Sequence, residues 1–306
     1  MDETIDRLAS IILERFTSIS PTERLLIAIA GVPGSGKSTL AYPLVDAINT
    51  KLEATKSNTN VGGGLTTRTN TIDQATALLY TDSSRNRDSV PNDDDEDFPT
   101  ATATATATED GLVPPNERIA LAVGLDGWHY SRAQLDKFPD PIEARTRRGA
   151  AFTFNANSYL SFIQALREPI PLSPSPFPLM TPKIPYLTFS HSLKDPLPSP
   201  TPINPTNRLI IIEGLYTLIN EGIWARTTGM MDFRIWLECD SKVVRDRLLK
   251  RCLKEGIEDT LERAEKRVDG SDMLNGEWIK ARLTRDAELI VIESKEDTRL
   301  VASSEP

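Results

Sequence analysis

Residues 24–39, RLLIAIAGVPGSGKST, constrain the fold of this chain more strongly than any other segment. The apolar run at 24–30 is typical of a strand that is buried on both faces of a parallel sheet. It leads directly into the pattern G-x-x-x-x-G-K-[ST], and a helical pattern that tolerates Pro43 follows. In this arrangement of strand, loop and helix, the backbone N–H groups of the loop bind phosphate at the start of the helix.

The loop therefore predicts a site for ATP and Mg²⁺. Lys37 is expected to reach the β- and γ-phosphates, and Ser38 is expected to hold the metal ion. The alternative is a glycine turn with an incidental lysine, which the flanking strand and helix argue against. The predicted nucleotide-binding residues are Gly31, Val32, Pro33, Gly34, Ser35, Gly36, Lys37, Ser38 and Thr39.

Four further apolar runs predict the remaining strands of one sheet, at 118–125, 208–212, 233–237 and 288–292. Helical patterns separate them, with amphipathic helices at 2–17 and 155–167 and another at 242–253. This alternation predicts an α/β fold of the P-loop NTPase class, with three α/β/α layers and a five-stranded parallel sheet. Ligands of such a sheet bind at the carboxyl ends of its strands.

Two segments do not fit the alternation. Residues 53–115 include DDDED and ATATATAT and have low apolar content, so they predict a disordered insertion within a single domain that spans 1–306. Residues 169–205 hold 12 of the 22 prolines and predict an irregular excursion, with at most a short strand at 184–189.

Composition narrows the class of protein further. The net charge is −9, which argues against a nucleic-acid partner, although residues 53–110 carry 11 acids and four bases and so account for −7 of it. No apolar run reaches the length of about 20 residues that spans a bilayer, and the N-terminus is too polar for a signal peptide. The expected location is cytoplasmic, with no membrane partner. Cys239 and Cys252 are too few for a disulfide framework or a zinc site, and the oligomeric state is not predicted.

Two acids follow predicted strands and are candidates for chemistry. Glu213 ends the run RLIIIE, where a second ligand to the water shell of Mg²⁺ would lie, or it caps a turn. Asp126, in GLDGWHY, either starts a turn or faces a reacting group. The chain has no Asn-Lys-x-Asp motif for guanine and no ATP-cassette signature, so the loop alone leaves a kinase and an ATPase open.

The order of motifs is more specific than any one of them. AGVPGSGKST, DGWH, RRGAAFTF, FSHSLKDP, IIEGLY, RDRLLKRCLKEG and SDMLN occur in succession between about Arg24 and Arg282. This order resembles the uridine kinase/phosphoribulokinase/pantothenate kinase superfamily of P-loop kinases. It is most similar to the branch of fungal ATP-dependent kinase-like proteins and bacterial nucleoside/nucleotide kinase-like relatives.

The resemblance implies a role for each matching residue. Asp126 would be the general base towards the acceptor hydroxyl, and residues 240–282 would form a helical lid whose Arg247 and Arg251 close over the phosphates. Arg267 and Asn275 are weaker lid and adenine-side candidates. The acceptor would contact Trp128, His129, Arg147, Arg148 and His191. Ser190 and Asn155 depart from the pattern, because many relatives have acids there, and this weakens the assignment of acceptor contacts.

The predicted function is an ATP- and Mg²⁺-dependent kinase that phosphorylates a hydroxyl of a small metabolite. One alternative is an ATP-binding scaffold without turnover, whose acidic insertion recruits a partner. Another is a P-loop NTPase that hydrolyses nucleotide without an acceptor. The identity of the acceptor cannot be predicted from these motifs.

Overall fold

The structure is a computed structural model that describes residues 2–61, 118–171 and 183–294. Its contacts divide the chain into one unit of residues 1–55 and 113–306 and a second unit of residues 56–112. The first unit holds every element described below except the last residues of helix α2. Of the second unit, the structure describes only residues 56–61, which belong to that helix.

A five-stranded parallel sheet forms the centre of the first unit, as predicted. Its strand order is β2-β5-β1-β6-β7, and all four pairings are parallel. The strands are β1 (Leu25–Gly31), β2 (Ala120–Gly124), β5 (Leu209–Glu213), β6 (Phe233–Glu238) and β7 (Leu289–Glu293). Every residue of β1 and β5 is buried, which explains their unbroken apolar sequences.

Helices cover both faces of this sheet and complete the three predicted layers. Leu25, Ile27 and Ile29 of β1 pack in one hydrophobic cluster with helices α1 and α2. Leu26 and Ala28, which alternate with them, pack in a second cluster on the opposite face. The helices are α1 (Asp2–Ser18), α2 (Lys37–Val61), α3 (Arg132–Leu135), α4 (Pro141–Thr146), α5 (Ala156–Arg167), α6 (Gly222–Thr228), α7 (Ser241–Lys254), α8 (Leu261–Arg267) and α9 (Met273–Arg282).

The proline-rich excursion contains more regular structure than its sequence predicts. Strand β3 (Leu187–Ser190) pairs with β4 (Asp195–Pro198) in an antiparallel hairpin. The prediction of at most one strand there is wrong, because Pro196 and Pro198 hide the second strand from a pattern-based reading. Proline is tolerated on a strand that has a free edge, and each strand of this hairpin has only one partner.

The predicted insertion lies mostly outside the described residues. Helix α2 continues to Val61 and so includes the first residues of the segment predicted to be disordered from residue 53. Residues 62–115 are not described, and their disorder stays a prediction. Among the helices that the structure does describe, none has the length and apolarity to cross a bilayer.

Candidate active site

The P-loop has the shape that its glycines predict. Gly34 and Gly36 have φ values of 76° and 93°, in the left-handed region that side chains disfavour. A Cβ at Gly31 would lie 2.3 Å from the Oγ of Ser35. Helix α2 begins at Lys37 directly after the loop, so unpaired N–H groups of its first turn face the space in front of the loop.

Lys37 folds back over the loop. Its Nζ donates hydrogen bonds to the backbone oxygens of Gly31 at 3.0 Å and Val32 at 3.1 Å. Burial lowers the pKa of this ammonium, while the charges of Glu213 and Asp126 act to raise it. The positive charge therefore lies between the loop and both predicted acids.

Ser38, in the first turn of α2, meets Glu213, the last residue of β5. The Ser38 hydroxyl donates a hydrogen bond to Glu213 Oε1 at 3.1 Å, and Glu213 is 9% exposed at the end of β5. Burial raises the pKa of the Glu213 carboxyl, Lys37 opposes that shift and Asp126 adds to it. A hydroxyl beside a carboxylate is a donor set that suits Mg²⁺.

Ser38 Oγ and the Glu213 carboxylate would supply two ligands of a Mg²⁺ ion, and phosphate oxygens and water would complete its coordination. Among the described ranges, no three or more His, Cys, Asp or Glu residues form a group that could hold a metal. Mg²⁺ in phosphoryl-transfer sites is commonly held in this way, by few protein oxygens plus the substrate.

Asp126 lies on a single 3-10 turn, residues Leu125–Trp128, directly after β2. Its side chain is 49% exposed. Gly127 follows, and a Cβ there would lie 2.1 Å from the backbone oxygen of Leu187 in the hairpin. The hairpin therefore packs against the turn so closely that only glycine fits. The turn begins at Leu125, immediately after Gly124, and Gly124 pairs in register with Glu213.

His129 supports this turn. Its Nδ1–H donates a hydrogen bond to the backbone oxygen of Asp126 at 2.9 Å, and Nδ1 lies 3.8 Å from Asp126 Oδ1. The ring lies near Phe154 and Phe189, with centroid distances of 3.9 and 5.2 Å. Burial lowers the pKa of His129 and the Asp126 charge opposes it. The imidazole therefore holds the backbone of the Asp126 turn in place.

Trp128, a predicted acceptor contact, lies almost entirely in the core. Trp128 is 2% exposed, and its ring packs against Tyr159 and Phe162 at centroid distances of 5.4 and 4.7 Å. The side chain points into the core on the sheet face opposite α1 and α2, so it supports the Asp126 turn from behind. Trp128 is two residues from Asp126 in the sequence. Successive side chains of a turn point in different directions, and the sequence does not show which of them enters the core.

Arg148, a predicted acceptor contact, makes several contacts within the chain. It donates hydrogen bonds to the backbone oxygen of Tyr130 and to Asp195 Oδ1, both at 2.9 Å, and to the backbone oxygen of Lys194. Its guanidinium also lies over the ring of Phe189, 5.5 Å from the centroid. It ties the β3–β4 hairpin to the segment after Asp126. His191 lies exposed in the hairpin turn, and its ring is 5.5 Å from that of Phe189.

Asp195 is the acid that the hairpin presents to these arginines. It accepts hydrogen bonds from the backbone N–H and the Nε of Arg132 as well as from Arg148. Burial acts to raise the pKa of Asp195, but the hydrogen bonds from Arg132 and Arg148 outweigh it and the pKa is lowered. An acid of the hairpin is thus present, five residues after Ser190.

Asp195→Ala is expected to destabilise the hairpin. Loss of the carboxylate leaves partly buried donors without a partner, which costs about 1–2 kcal/mol and lowers Tm by about 2–8 °C. Hydrogen exchange of the amides at 187–198 and thermal melting measure this. Because the pKa of Asp195 is lowered, its contribution is present above the unfolded pKa and is lost as the pH falls through the folded value. Asp136→Ala, which removes an exposed pair with Arg145, is the control; an equal Tm loss in both variants would contradict this role of Asp195.

The predicted lid residues differ in their surroundings. Arg247 contacts the P-loop side of the site, because its NH1 group donates to Ser294 Oγ at 2.9 Å and to the backbone oxygen of Gly34 at 3.4 Å. Arg251, one turn further along α7, is exposed. Its charge acts on Lys37 and on Asp272, so it lies on the side of the helix that faces the loop. Arg267 lies 4.0 Å from Glu258.

Asn275, a predicted adenine-side candidate, contacts a predicted acceptor residue. Its Oδ1 accepts a hydrogen bond from Arg147 at 3.3 Å, and it is 4% exposed. The neighbouring Gly276 faces Val32 of the P-loop. Asn275 thus links Arg147 to the segment that packs on the P-loop. Its motif, SDMLN, gave no sign of which partner it contacts.

The sequence did not single out three residues of this region. Tyr42 follows Ser38 by four residues on α2 and is 52% exposed, and the pKa of its phenol is raised by burial and by the charges of Glu213 and Asp126. Tyr216, three residues after Glu213, donates a hydrogen bond to the backbone oxygen of Gly149 at 2.6 Å. Asp272 ends a π-helical segment, and burial raises its pKa. The helical spacing of Ser38 and Tyr42 was the one available signal.

Comparison with known proteins gives matches of two kinds. A family model described as RNA helicase matches residues 27–107, about a quarter of the chain and including the P-loop. The ATP-dependent kinase-like protein notR′ of Aspergillus versicolor is 37% identical over 155 residues, which are 51% of this chain and 86% of that protein. The ATP-dependent kinase YFH7 of Candida glabrata is 28% identical over 349 residues, covering 97% of this chain and 98% of that protein.

A solved structure supports the same fold. The crystal structure of YFH7 from Saccharomyces cerevisiae superposes with a TM-score of 0.68 at 22% sequence identity, over 95% of this chain and 99% of that chain. The fold and the relatives together define a P-loop kinase of the uridine kinase/phosphoribulokinase/pantothenate kinase superfamily. Within it, the chain belongs to the family of ATP-dependent kinase-like proteins that includes notR′. The family predicted from the order of motifs is confirmed, and so is the use of ATP by a kinase of this class.

Proposed function

We propose that this kinase transfers the γ-phosphoryl group of ATP to a hydroxyl of a small metabolite, with Asp126 as the base that orients this hydroxyl. The observation that carries the proposal is the position of Asp126 relative to the nucleotide side. It follows Gly124, the register partner of Glu213, and its charge acts on both Lys37 and Glu213. An exposed carboxylate beside the loop can accept a proton from an incoming hydroxyl.

The reaction balances with these residues. The acceptor oxygen forms a bond to the γ-phosphorus, the bond from that phosphorus to the β,γ-bridging oxygen breaks, and ADP leaves. Asp126 accepts the proton of the acceptor hydroxyl and releases it to solvent. Because the transition state of phosphoryl transfer is loose, the base acts mainly by orienting the hydroxyl.

The other residues of the site are proposed to bind the phosphates and to neutralise their charge. Ser38 and Glu213 would hold Mg²⁺, which supplies neutralisation of the charge on the transferred group. Lys37 binds the same phosphates, and Arg247 and Arg251 belong to a proposed lid at 240–282 within one kinase domain spanning 1–306. The partial burial of Lys37 and Arg247 near the loop strengthens their interaction with phosphate oxygens.

The two departures from the family pattern have structural explanations, which favours a kinase over a scaffold. Asn155 caps helix α5, where its Oδ1 accepts a hydrogen bond from the backbone N–H of Ser158 at 3.0 Å. Ser190 Oγ accepts one from the N–H of Leu193 in the hairpin turn. Asn155 also donates its backbone N–H to the backbone oxygen of Trp128 at 2.8 Å, so it supports the Asp126 turn through its main chain rather than through an acidic side chain. The scaffold alternative otherwise depends on the insertion, whose residues after Val61 are not described.

Glu213→Gln is expected to raise the Mg²⁺ concentration for half-maximal activity by at least about 10-fold, because an amide is a weaker ligand for this cation. It is not expected to lower the metal-free Tm, since burial disfavours the ionised carboxyl. Titration of Mg²⁺ in the kinase assay and metal-free melting measure both. Glu143→Gln, on an exposed position of α4, is the control. An unchanged Mg²⁺ requirement would contradict the metal role.

The test of the proposed function is a search for a phosphorylated product. The purified full-length chain is incubated with Mg²⁺ and γ-labelled ATP and a panel of nucleosides, pantothenate, sugars, sugar phosphates and hydroxy acids, and then with a metabolite extract. A labelled phosphate ester formed together with ADP is expected. Binding of ATP with no labelled ester from any mixture would contradict the proposal and favour the scaffold.

A further inference from the structure

The two adjacent arginines after helix α4 differ in their counter-charges. The two terminal NH groups of Arg148 donate hydrogen bonds to the backbone oxygens of Tyr130 and Lys194 and to Asp195, although its Nε, like that of Arg147, is buried without a partner. Arg147 makes one long hydrogen bond, 3.3 Å, to the uncharged Asn275. It forms no ion pair with any carboxylate in the described ranges, and its Nε is buried without a hydrogen-bond partner. A partly buried guanidinium without a counter-charge is costly.

The segment that carries Arg147 contacts Tyr216, which follows Glu213 by three residues. The Tyr216 hydroxyl donates a hydrogen bond to the backbone oxygen of Gly149 at 2.6 Å. Burial raises the pKa of this phenol, Arg147 opposes the shift, and Asp126 and Asp272 add to it. The Tyr216 ring lies 5.2 Å from that of Phe154, and Phe154 lies 3.9 Å from the His129 ring beside Asp126, so the Arg147 segment and the Asp126 turn contact the same aromatic cluster. Gly149, with φ 109°, makes a sharp turn directly after the two arginines.

We infer that Arg147 binds an anionic group of the acceptor, so that the acceptor is a small hydroxylated acid or phosphate ester rather than a neutral alcohol. This inference rests on the proposed function, because it places the hydroxyl of the same molecule at Asp126. A guanidinium presents parallel N–H groups that match the two oxygens of a carboxylate or a phosphate. Asn275 orients the guanidinium from the opposite side and, being neutral, leaves its charge uncompensated.

Arg147 differs from the neighbouring arginines in having no acidic partner among the described residues. The other described arginines around it have acidic partners, namely Arg132 and Arg148 with Asp195 and Arg145 with Asp136. A carboxylate or phosphate of the ligand would be the acidic partner of Arg147, as Asp136 is for Arg145 and Asp195 is for Arg148. A neutral acceptor would leave the charge unpaired in the closed complex and would bind more weakly.

The test uses acceptor pairs that differ only in the anionic group: glycerate and glycerol, pantothenate and panthenol, ribose 5-phosphate and ribose. The full-length wild type is expected to phosphorylate anionic members only, and the responding pair separates carboxylate from phosphate. In Arg147→Gln, KM for the anionic acceptor is expected to rise about 10- to 100-fold with a smaller change in kcat, and Arg147→Lys is expected to be intermediate. Arg145→Gln, two residues away and exposed, is the control and is expected to match the wild type.

A second measurement needs no turnover. With Mg²⁺ and a non-hydrolysable ATP analogue saturating the P-loop, malonate or inorganic phosphate is expected to raise Tm relative to chloride at equal ionic strength. The shift is expected to be lost in Arg147→Gln and kept in Arg145→Gln. Ligand-free Tm of each variant shows whether it folds.

The outcomes separate the inference from the function on which it rests. Equal use of neutral and anionic members, or an anion-induced Tm shift that survives in Arg147→Gln, would overturn the anion site while the kinase stands. If no acceptor is phosphorylated, the proposed function fails, and the Tm shift alone decides whether Arg147 is an anion site: loss of the shift in Arg147→Gln supports it, and no shift in the wild type overturns it.

Discussion

Asp126→Asn is expected to lower kcat for acceptor phosphorylation by about 10²- to 10⁴-fold, the usual contribution of a positioned general base. The amide has nearly the same shape as the carboxylate but cannot take the proton of the acceptor hydroxyl. The hydrogen bond from His129 ends on the backbone oxygen of Asp126, so the turn is expected to persist in the variant. Steady-state kinetics with the acceptor found in the panel measure the effect.

The control for this variant is Asp6→Asn, which removes an exposed carboxylate of α1 that pairs with Lys51 at 2.7 Å. Its kcat is expected to stay within about two-fold of the wild type, as for other surface substitutions. ATP affinity is expected to be similar in both variants, because Asp126 is proposed to face the acceptor. Wild-type kcat in Asp126→Asn would remove Asp126 from the mechanism.

Lys37→Met is expected to lower kcat by at least about 10²- to 10³-fold, the cost of removing one preorganised group that stabilises transition-state charge. Lys37 is buried among the loop carbonyls and the charges of Glu213 and Asp126. Methionine keeps the length of the side chain but carries no charge. The measurement is kcat together with ATP affinity, since loss of phosphate binding is also expected to weaken ATP.

Lys51→Met is the matched control on the same helix. Lys51 lies on α2 and makes a surface ion pair with Asp6, so its loss is expected to change activity little. Equal losses of activity in the two variants would mean that Lys37 acts through the stability of α2 rather than through the phosphates.

The strands next to the P-loop could be predicted because an unbroken apolar sequence indicates a strand that is buried on both faces. Strands β1 and β5 are buried on both faces and read as unbroken apolar runs. Ser38 and Glu213 could each be assigned to the metal site because the P-loop follows β1 and Glu213 ends β5, at the carboxyl edge of the sheet where ligands bind. Only the strand order required the structure, since sequence does not fix which strands are neighbours.

The acceptor side could not be predicted to the same depth, because its residues belong to turns and to the proline-rich hairpin. Trp128 and His129 are adjacent in sequence, yet one enters the core and the other supports the Asp126 turn. The contrast between Arg147 and Arg148 depends on Asp195, nearly fifty residues away in the chain. No periodicity relates such positions, so their partners emerge only from tertiary packing.

The measurement that tests the central claim most directly is the balance of ADP, free phosphate and phosphorylated acceptor formed by the wild-type chain. The account predicts that ADP forms only when an acceptor is present and equals the phosphate ester formed, with little free phosphate. ADP that accumulates at the same rate without an acceptor, matched by free phosphate, would identify a hydrolase and contradict acceptor phosphorylation.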